Sequence, residues 1–228
     1  MPSETVHTVG SGGNYVSLVA WEAAQQRDLT LATGDDTIAV AEVIGGTNVG
    51  NPTGNIDFNG WTTDGTNRIV VRAQAGSEYL STGVLDTSKA YTDCTLAGGN
   101  NGAFLIRHDI LIQGIQINLT SGAAAAGAKC VYQFGSTGAC TMDGCLIIHT
   151  LSSGNTLNHD GSIFEMRANG ACDMTNNIMI VNAPGSTGNV VPCFWQGATA
   201  ATQTMYNNTV VVTGKTTGVC VLLQIRDG

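Results

Sequence analysis

Short runs in which apolar and polar residues alternate recur along the chain, separated by clusters of Gly, Asn and Ser. In Cys140-Thr141-Met142-Asp143 and Cys172-Asp173-Met174-Thr175 every second residue is apolar, the two-residue period of a strand with one buried face. One segment alone has helical spacing. Ser17 stands at an N-cap position and Leu18, Trp21 and Ala24 or Gln25 fall on one side of the turns that follow, so a helix is predicted from there to Gln26. Thr37 to Ile44, Asn55 to Phe58 and Arg68 to Arg72 read as further strands.

The alternating runs are copies of one another. Ala139 to Ile148, Ala171 to Ile180 and Thr202 to Val211 align without gaps, with Met142, Met174 and Met205 spaced 32 and 31 residues apart. Ile112 to Ile117 is an earlier copy. A second strand-like segment keeps the same period upstream of each: Cys130 to Phe134, Ser162 to Met166, Cys193 to Gly197 and Val221 to Ile225. An all-strand repeat of about 31 residues leaves a propeller or a solenoid. Blades need a turn between every pair of antiparallel strands, whereas the tight Asn-Asn or Asp-Gly turn comes once per repeat. The pattern therefore predicts an all-β fold, a right-handed single-stranded parallel β-helix, in which each coil stacks about 4.8 Å from the next.

Strand parity then assigns faces. Tyr132, Phe164, Trp195 and Leu223 are expected in one inward column and Phe134, Met166 and Ile225 in another; Cys140 over Cys172, and Met142 over Met174 over Met205, are also inward. Gln133, Glu165, Gln196 and Gln224 are expected in an outward polar column. Asn176 with Asn207, and Asn177 with Asn208, are expected to form ladders at the turn, since Asn tolerates left-handed dihedrals and its amide bonds above and below. The predicted division is an N-terminal cap over residues 1–36, including the helix, and a β-helix over residues 37–228. The cap would close the first coil. The last strand, ending near Ile225, carries no cap, so either further chain or another subunit is expected to cover it.

Composition narrows the function. Nine Lys plus Arg against 17 Asp plus Glu leave a formal charge of −8, which opposes nucleic-acid binding. No apolar run reaches membrane-spanning length, and Met1 to Glu4 lacks the basic and apolar regions of a signal peptide. Thirty Gly with only 4 Pro and 11% charged residues exclude collagen and acidic disorder. Seven Cys show neither a CxxC pair nor zinc-type spacing, so they read as buried thiols and no metal site is expected. Cys140 over Cys172 is near enough for a bridge between adjacent coils, and Cys130 and Cys193 are placed two coils apart in one column; the thiol reading is preferred for both.

Val9-Gly10-Ser11-Gly12-Gly13-Asn14-Tyr15-Val16-Ser17-Leu18-Val19-Ala20-Trp21-Glu22-Ala23-Ala24, then Asn59-Gly60-Trp61-Thr62-Thr63-Asp64 and the Asn-Asn turns, resemble right-handed parallel β-helix proteins encoded by tailed bacteriophages and prophages. The resemblance spans most of the chain. It implies a virion component such as a capsid decoration, tail fibre or tailspike, made in the host cytoplasm and carried on the particle surface. Implied partners are other virion proteins, copies of the same chain, trimers among them, and host surface polysaccharide. No cofactor and no catalytic motif carry over. The reading is a non-enzymatic structural or adhesion protein whose rigid β-helix serves as a spacer or surface-binding scaffold. The alternatives are a tailspike-like polysaccharide depolymerase, acting as hydrolase or lyase, and a glycan-binding module without cleavage.

Candidate chemistry is sparse. Glycoside cleavage needs two facing carboxylates, and the candidates are Glu165, Asp173 and Asp143, whose counterparts in neighbouring coils are mostly uncharged. The Gln133, Glu165, Gln196 and Gln224 column is the candidate binding surface, with protein packing preferred because it lacks aromatics. His149, His159 and Asp160 lack ligand spacing and read as solvated. Asp35-Asp36 reads as a plain turn, and Gly10 to Tyr15 as a turn before the helix, because its third glycine position is Tyr15.

Overall fold

The computed structural model describes residues 1–79, 82–98, 102–124, 127–134, 138–153, 159–167, 170–197 and 202–227. The chain winds as a parallel β-solenoid of about six turns, and each full turn adds one strand to each of three sheets. The first sheet runs β1 (Ser3–Val9), β2 (Thr37–Val43), β4 (Ile69–Ala73), β7 (Ile110–Gln113), β10 (Cys140–Asp143), β13 (Cys172–Thr175) and β16 (Gln203–Tyr206). The second holds β5 (Tyr91–Gly98), β8 (Gln116–Ala124), β11 (Leu146–Leu151), β14 (Ile178–Asn182) and β17 (Thr209–Thr213). The third holds β3 (Ile56–Phe58), β6 (Gly102–Ile106), β9 (Lys129–Phe134), β12 (His159–Arg167), β15 (Val190–Gly197) and β18 (Leu223–Asp227). Parallel neighbours need a long crossover, and here the crossover is the other two strands of the coil.

Stacking follows the repeat. Ile112, Met142, Met174 and Met205 align in successive strands, as do Cys140 and Cys172, and the first three of that Ile/Met column and both cysteines are fully buried. The turn from the first sheet to the second is two residues long in each of the last four coils. Its first residue is left-handed: Gly114 (φ 67), Gly144 (φ 62), Asn176 (φ 58) and Asn207 (φ 54). Only Gly enters that region freely and Asn enters it at small cost, so the alternation of Gly with Asn at one point in the coil is a backbone requirement.

Both expected Asn ladders form. Asn207 Nδ2 donates to Asn176 Oδ1 at 2.7 Å on the surface. Beneath it the buried Asn177 accepts from the Cys145 N–H at 2.9 Å and donates to the Met142 carbonyl and to Asn208 Oδ1, each at 3.0 Å. Helix α1 (Leu18–Gln25) starts from Ser17, whose hydroxyl accepts from Ala20 N at 3.2 Å, and buries Leu18 and Trp21 against the first coils. Trp21 stacks on Trp61.

The third sheet departs from the expected register. Phe164 aligns with Val131 and Cys193, and Met166 aligns with Gln133 and Trp195. Tyr132 and Phe134 therefore oppose Glu165 and Arg167 rather than Phe164 and Met166, and Cys130 is not in the column of Cys193. The reason lies in the corner that follows. From this sheet's inward column to the first sheet's next strand the chain takes 7 residues (Gln133 to Cys140), then 6 (Met166 to Cys172), then 8 (Trp195 to Gln203). Equal corners would keep Gln133 above Glu165. The change from 7 to 6 slides β12 by one residue against β9 and turns its side chains over, whereas the change from 6 to 8 slides β15 by two and keeps Trp195 inward.

The three outer faces differ. On the second sheet the segment after β4 folds back and lays Tyr79 and Leu85 over Leu146, Ile148, Ile178 and Ile180, held by Gln116, which accepts from Asp86 N and donates to Asp86 O at 2.7 Å each. On the third sheet the outward residues Leu105, Glu165 and Phe194 are buried. The first sheet has a polar outward column running from Glu42 to Tyr206 beside an apolar one that begins with the buried Val40 and Val70.

Candidate functional site

Gln133, Glu165, Gln196 and Gln224 do not form a column. Gln133 is fully buried and faces inward above Met166, its amide donating to the Gly138 carbonyl at 2.5 Å. Gln196 pairs with Arg226, and Gln224 with Phe194; the Gln196 side chain lies outside the described residues.

Glu165 keeps its outward parity but is sealed. Lys129 Nζ lies 2.8 Å from its Oε2, the two side chains being 2% and 1% exposed. Arg167 bonds Oε1 from the more open side, at 45% exposure. The Lys129 ammonium also stands 4.8 Å from the Tyr132 ring centroid and donates to the Gly127 carbonyl at 2.5 Å. A carboxylate in this setting is a charge partner held between two cations. Sequence inspection missed Lys129 because its partner is 36 residues away and one coil up, and only the true register brings them together.

Asp143 and Asp173 share the outer face of the first sheet. Asp173 pairs with Thr141, two residues before Asp143, which places the two Cα atoms about 8 Å apart for a rise of about 3.3 Å per residue and about 4.8 Å between strands. Inverting glycosidases separate their carboxyls by roughly 6.5–9.5 Å. Asp143, however, is saturated. Its Oδ1 accepts from Asn176 Nδ2 at 2.8 Å and Thr175 Oγ1 at 2.9 Å, and its Oδ2 from Gln113 Nε2 at 3.2 Å. The Asn176 bond chiefly, then those of Thr175 and Gln113, hold this carboxyl below its ordinary value against partial burial, which makes it a poor base and a poorer acid. Glu165 stands on another sheet and joins neither.

His149 is fully buried rather than solvated. Its register with Leu119 and Val181 points it inward. Nδ1 lies 2.8 Å from the Ser162 carbonyl, which can only accept, so Nδ1 carries the proton; Nε2 lies 3.0 Å from Ser121 Oγ. His159 and Asp160 have side chains outside the described residues. Asp35 pairs with Arg27 at 2.7 Å, and Asp36 takes a left-handed φ of 52° just before β2. All seven cysteines are free and six are buried, with Cys220 exposed; burial pushes the Cys94, Cys145 and Cys193 thiols up to about 12. Among the described residues no group of three or more His, Cys, Asp or Glu could hold a metal ion.

Compared with protein-family models, with curated proteins and with solved structures, the chain matches none.

Proposed function

We propose that the chain is a non-enzymatic structural or adhesion component of a tailed-phage particle, a right-handed β-helix closed at its first coil by α1 and used as a rigid spacer or surface-binding scaffold. One observation carries this reading over the enzymatic alternative: the strongest catalytic candidate, Glu165, is locked between Lys129 and Arg167 on a sheet that neither Asp143 nor Asp173 occupies. The likeness of residues 9–24 and 59–64 to phage β-helix proteins supplies the context. In it the partners are other virion proteins and further copies of the chain, trimers included, and the location is the particle surface. Quantitative mass spectrometry of purified particles tests the proposal, with the chain expected at a fixed copy number per particle. Its absence from particles refutes the proposal. Polysaccharide cleavage by Asp143 and Asp173, which share one outer face, is the alternative reading; release of reducing ends that Asp143→Asn and Asp173→Asn abolish would replace the first reading with this one.

A further inference from the structure

From the sealed contact between β9 and β12, we infer that Lys129 and Glu165 condense to an isopeptide bond that ties two neighbouring coils together. The bond modifies the chain itself and does not depend on the virion assignment. Lys129 Nζ stands 2.8 Å from Glu165 Oε2, with the two side chains 2% and 1% exposed. The carboxyl carbon of Glu165 lies one bond beyond that oxygen, which brings nitrogen and carbon close to the roughly 3–3.5 Å of a near-attack geometry. Register sets Tyr132 and Phe194 on either side of Glu165 and Leu105 beyond Tyr132. Leu105 and Phe194 are buried, and the Tyr132 ring centroid lies 4.8 Å from Nζ, so the pair is flanked by apolar surface. The other ion pairs differ. Among the described residues those outside this cluster are made by Arg27, Arg72 and Arg107, with every side chain at least 23% exposed. A guanidinium stays protonated and is no nucleophile, whereas a lysine ammonium gives up its proton readily once it is buried.

The atoms balance within the pair. One proton passing from Nζ to Oε2 removes both charges from the dry site. The Nζ lone pair then attacks the carboxyl carbon, and Oε1 takes the negative charge of the tetrahedral intermediate. Arg167 already bonds Oε1, which places a guanidinium where that charge develops. A second Nζ proton moves to Oε2, the carbon–Oε2 bond breaks, and Oε2 leaves as water with both hydrogens taken from Nζ. The third Nζ hydrogen stays on the amide, where the Gly127 carbonyl, 2.5 Å from Nζ, accepts it. No oxidant, reductant or second molecule enters. The water leaves on the side of Arg167, which is 45% exposed, and the neutral amide carries none of the desolvation cost of two buried ions. Placement and electrostatics alone drive the step, so it is slow, and the newly folded chain holds the ion pair. Lys129 and Glu165 are 36 residues apart, so the link closes one whole coil and restrains the unfolded chain as a covalent cross-link does.

Intact-mass spectrometry of the full chain, kept folded in neutral buffer and sampled over days, tests the inference. A growing species lighter by one water is expected, together with a protease digest in which the peptide bearing Lys129 is joined to the peptide bearing Glu165. Lys129→Arg keeps a cation beside Glu165 without a nucleophilic amine, and Glu165→Leu removes the carboxyl; both are expected to hold their full mass, with circular dichroism checking that they are folded. Arg167→Gln is expected to slow the loss at least about tenfold, as removal of an oxyanion donor does. Chain held unfolded in urea is expected to lose no water, and the linked species should unfold at a higher urea concentration than the fresh chain. An unchanged mass in the folded chain, equal loss from the unfolded chain, loss from Lys129→Arg, or a link mapped to other residues overturns the inference. An unchanged rate in Arg167→Gln overturns the role given to its guanidinium.

Discussion

Replacing Asn177 by Leu probes the buried ladder at a defined point. The substitution keeps the approximate size of the side chain and removes its amide, so the Cys145 N–H and the Met142 carbonyl both lose the partner they have in the dry interior of the turn. Leaving a buried backbone group unpaired costs about 1–3 kcal/mol, and Asn208 Oδ1 also loses a donor. Together these give a destabilisation of about 4 kcal/mol. With a urea slope of roughly 2–3 kcal/mol per M, the unfolding midpoint should fall by roughly 1.5 M. The surface ladder provides the comparison. Asn207→Gly keeps a residue at ease in the left-handed turn and loses one exposed bond, so it should cost under about 1 kcal/mol. Equilibrium urea unfolding followed by circular dichroism measures both. Solenoids can unfold in segments, so hydrogen exchange across residues 140–180 should localise the loss to this turn. A cost for Asn177→Leu below about 1 kcal/mol, or equal to that of Asn207→Gly, would refute the claim that the inner amide satisfies the backbone of the preceding coil's turn.

Three further outcomes follow from the geometry. Glu165→Leu should cost about 3–5 kcal/mol because it strands the buried Lys129 ammonium, and Lys129→Met should cost less because Arg167 still bonds Glu165, while the double variant should recover most of the loss; additive costs in urea unfolding would show the pair is not coupled. Glu22 is buried against Trp61 and Asn59, and burial, opposed by the bonds from Gln26, Trp61 and Asn59, raises its pKa. Its protonated form is favoured by folding, so its contribution is greatest below the ordinary carboxyl value near 4.5 and is lost as pH rises through the raised folded value. Glu22→Gln should flatten that part of a melting-temperature profile and stabilise the protein at pH 7; an unchanged profile would contradict the assignment. In native protein a thiol reagent should modify Cys220 alone, and all seven cysteines after denaturation; rapid native modification of a second thiol would show that the sulfur columns are not sealed.

Much of the architecture is set by residues that meet their neighbours through short, invariant connections. The turn between the first and second sheets holds two residues in each of the last four coils, so the Met column, the cysteine stack and both Asn ladders can be counted directly along the chain. The helix was equally legible, since Ser17 and the apolar spacing that follows it act within one turn of their own position. Strand parity also places Asp143 and Asp173 outward without reference to any distant residue.

What the chain alone leaves open begins at the third sheet. There the corner changes length from coil to coil, and with a period of two a one-residue difference moves a side chain from solvent to core. That slip turns Gln133 inward and brings Lys129 to Glu165. His149 follows the same logic: Ser121 comes from the preceding coil of its own sheet and Ser162 from the third sheet. The amino-acid order determines by itself that strands stack and which residues turn the chain; only the closed coil decides what covers each face, because burial on a solenoid's outside depends on segments remote in sequence, such as Tyr79 and Leu85 lying over Leu146.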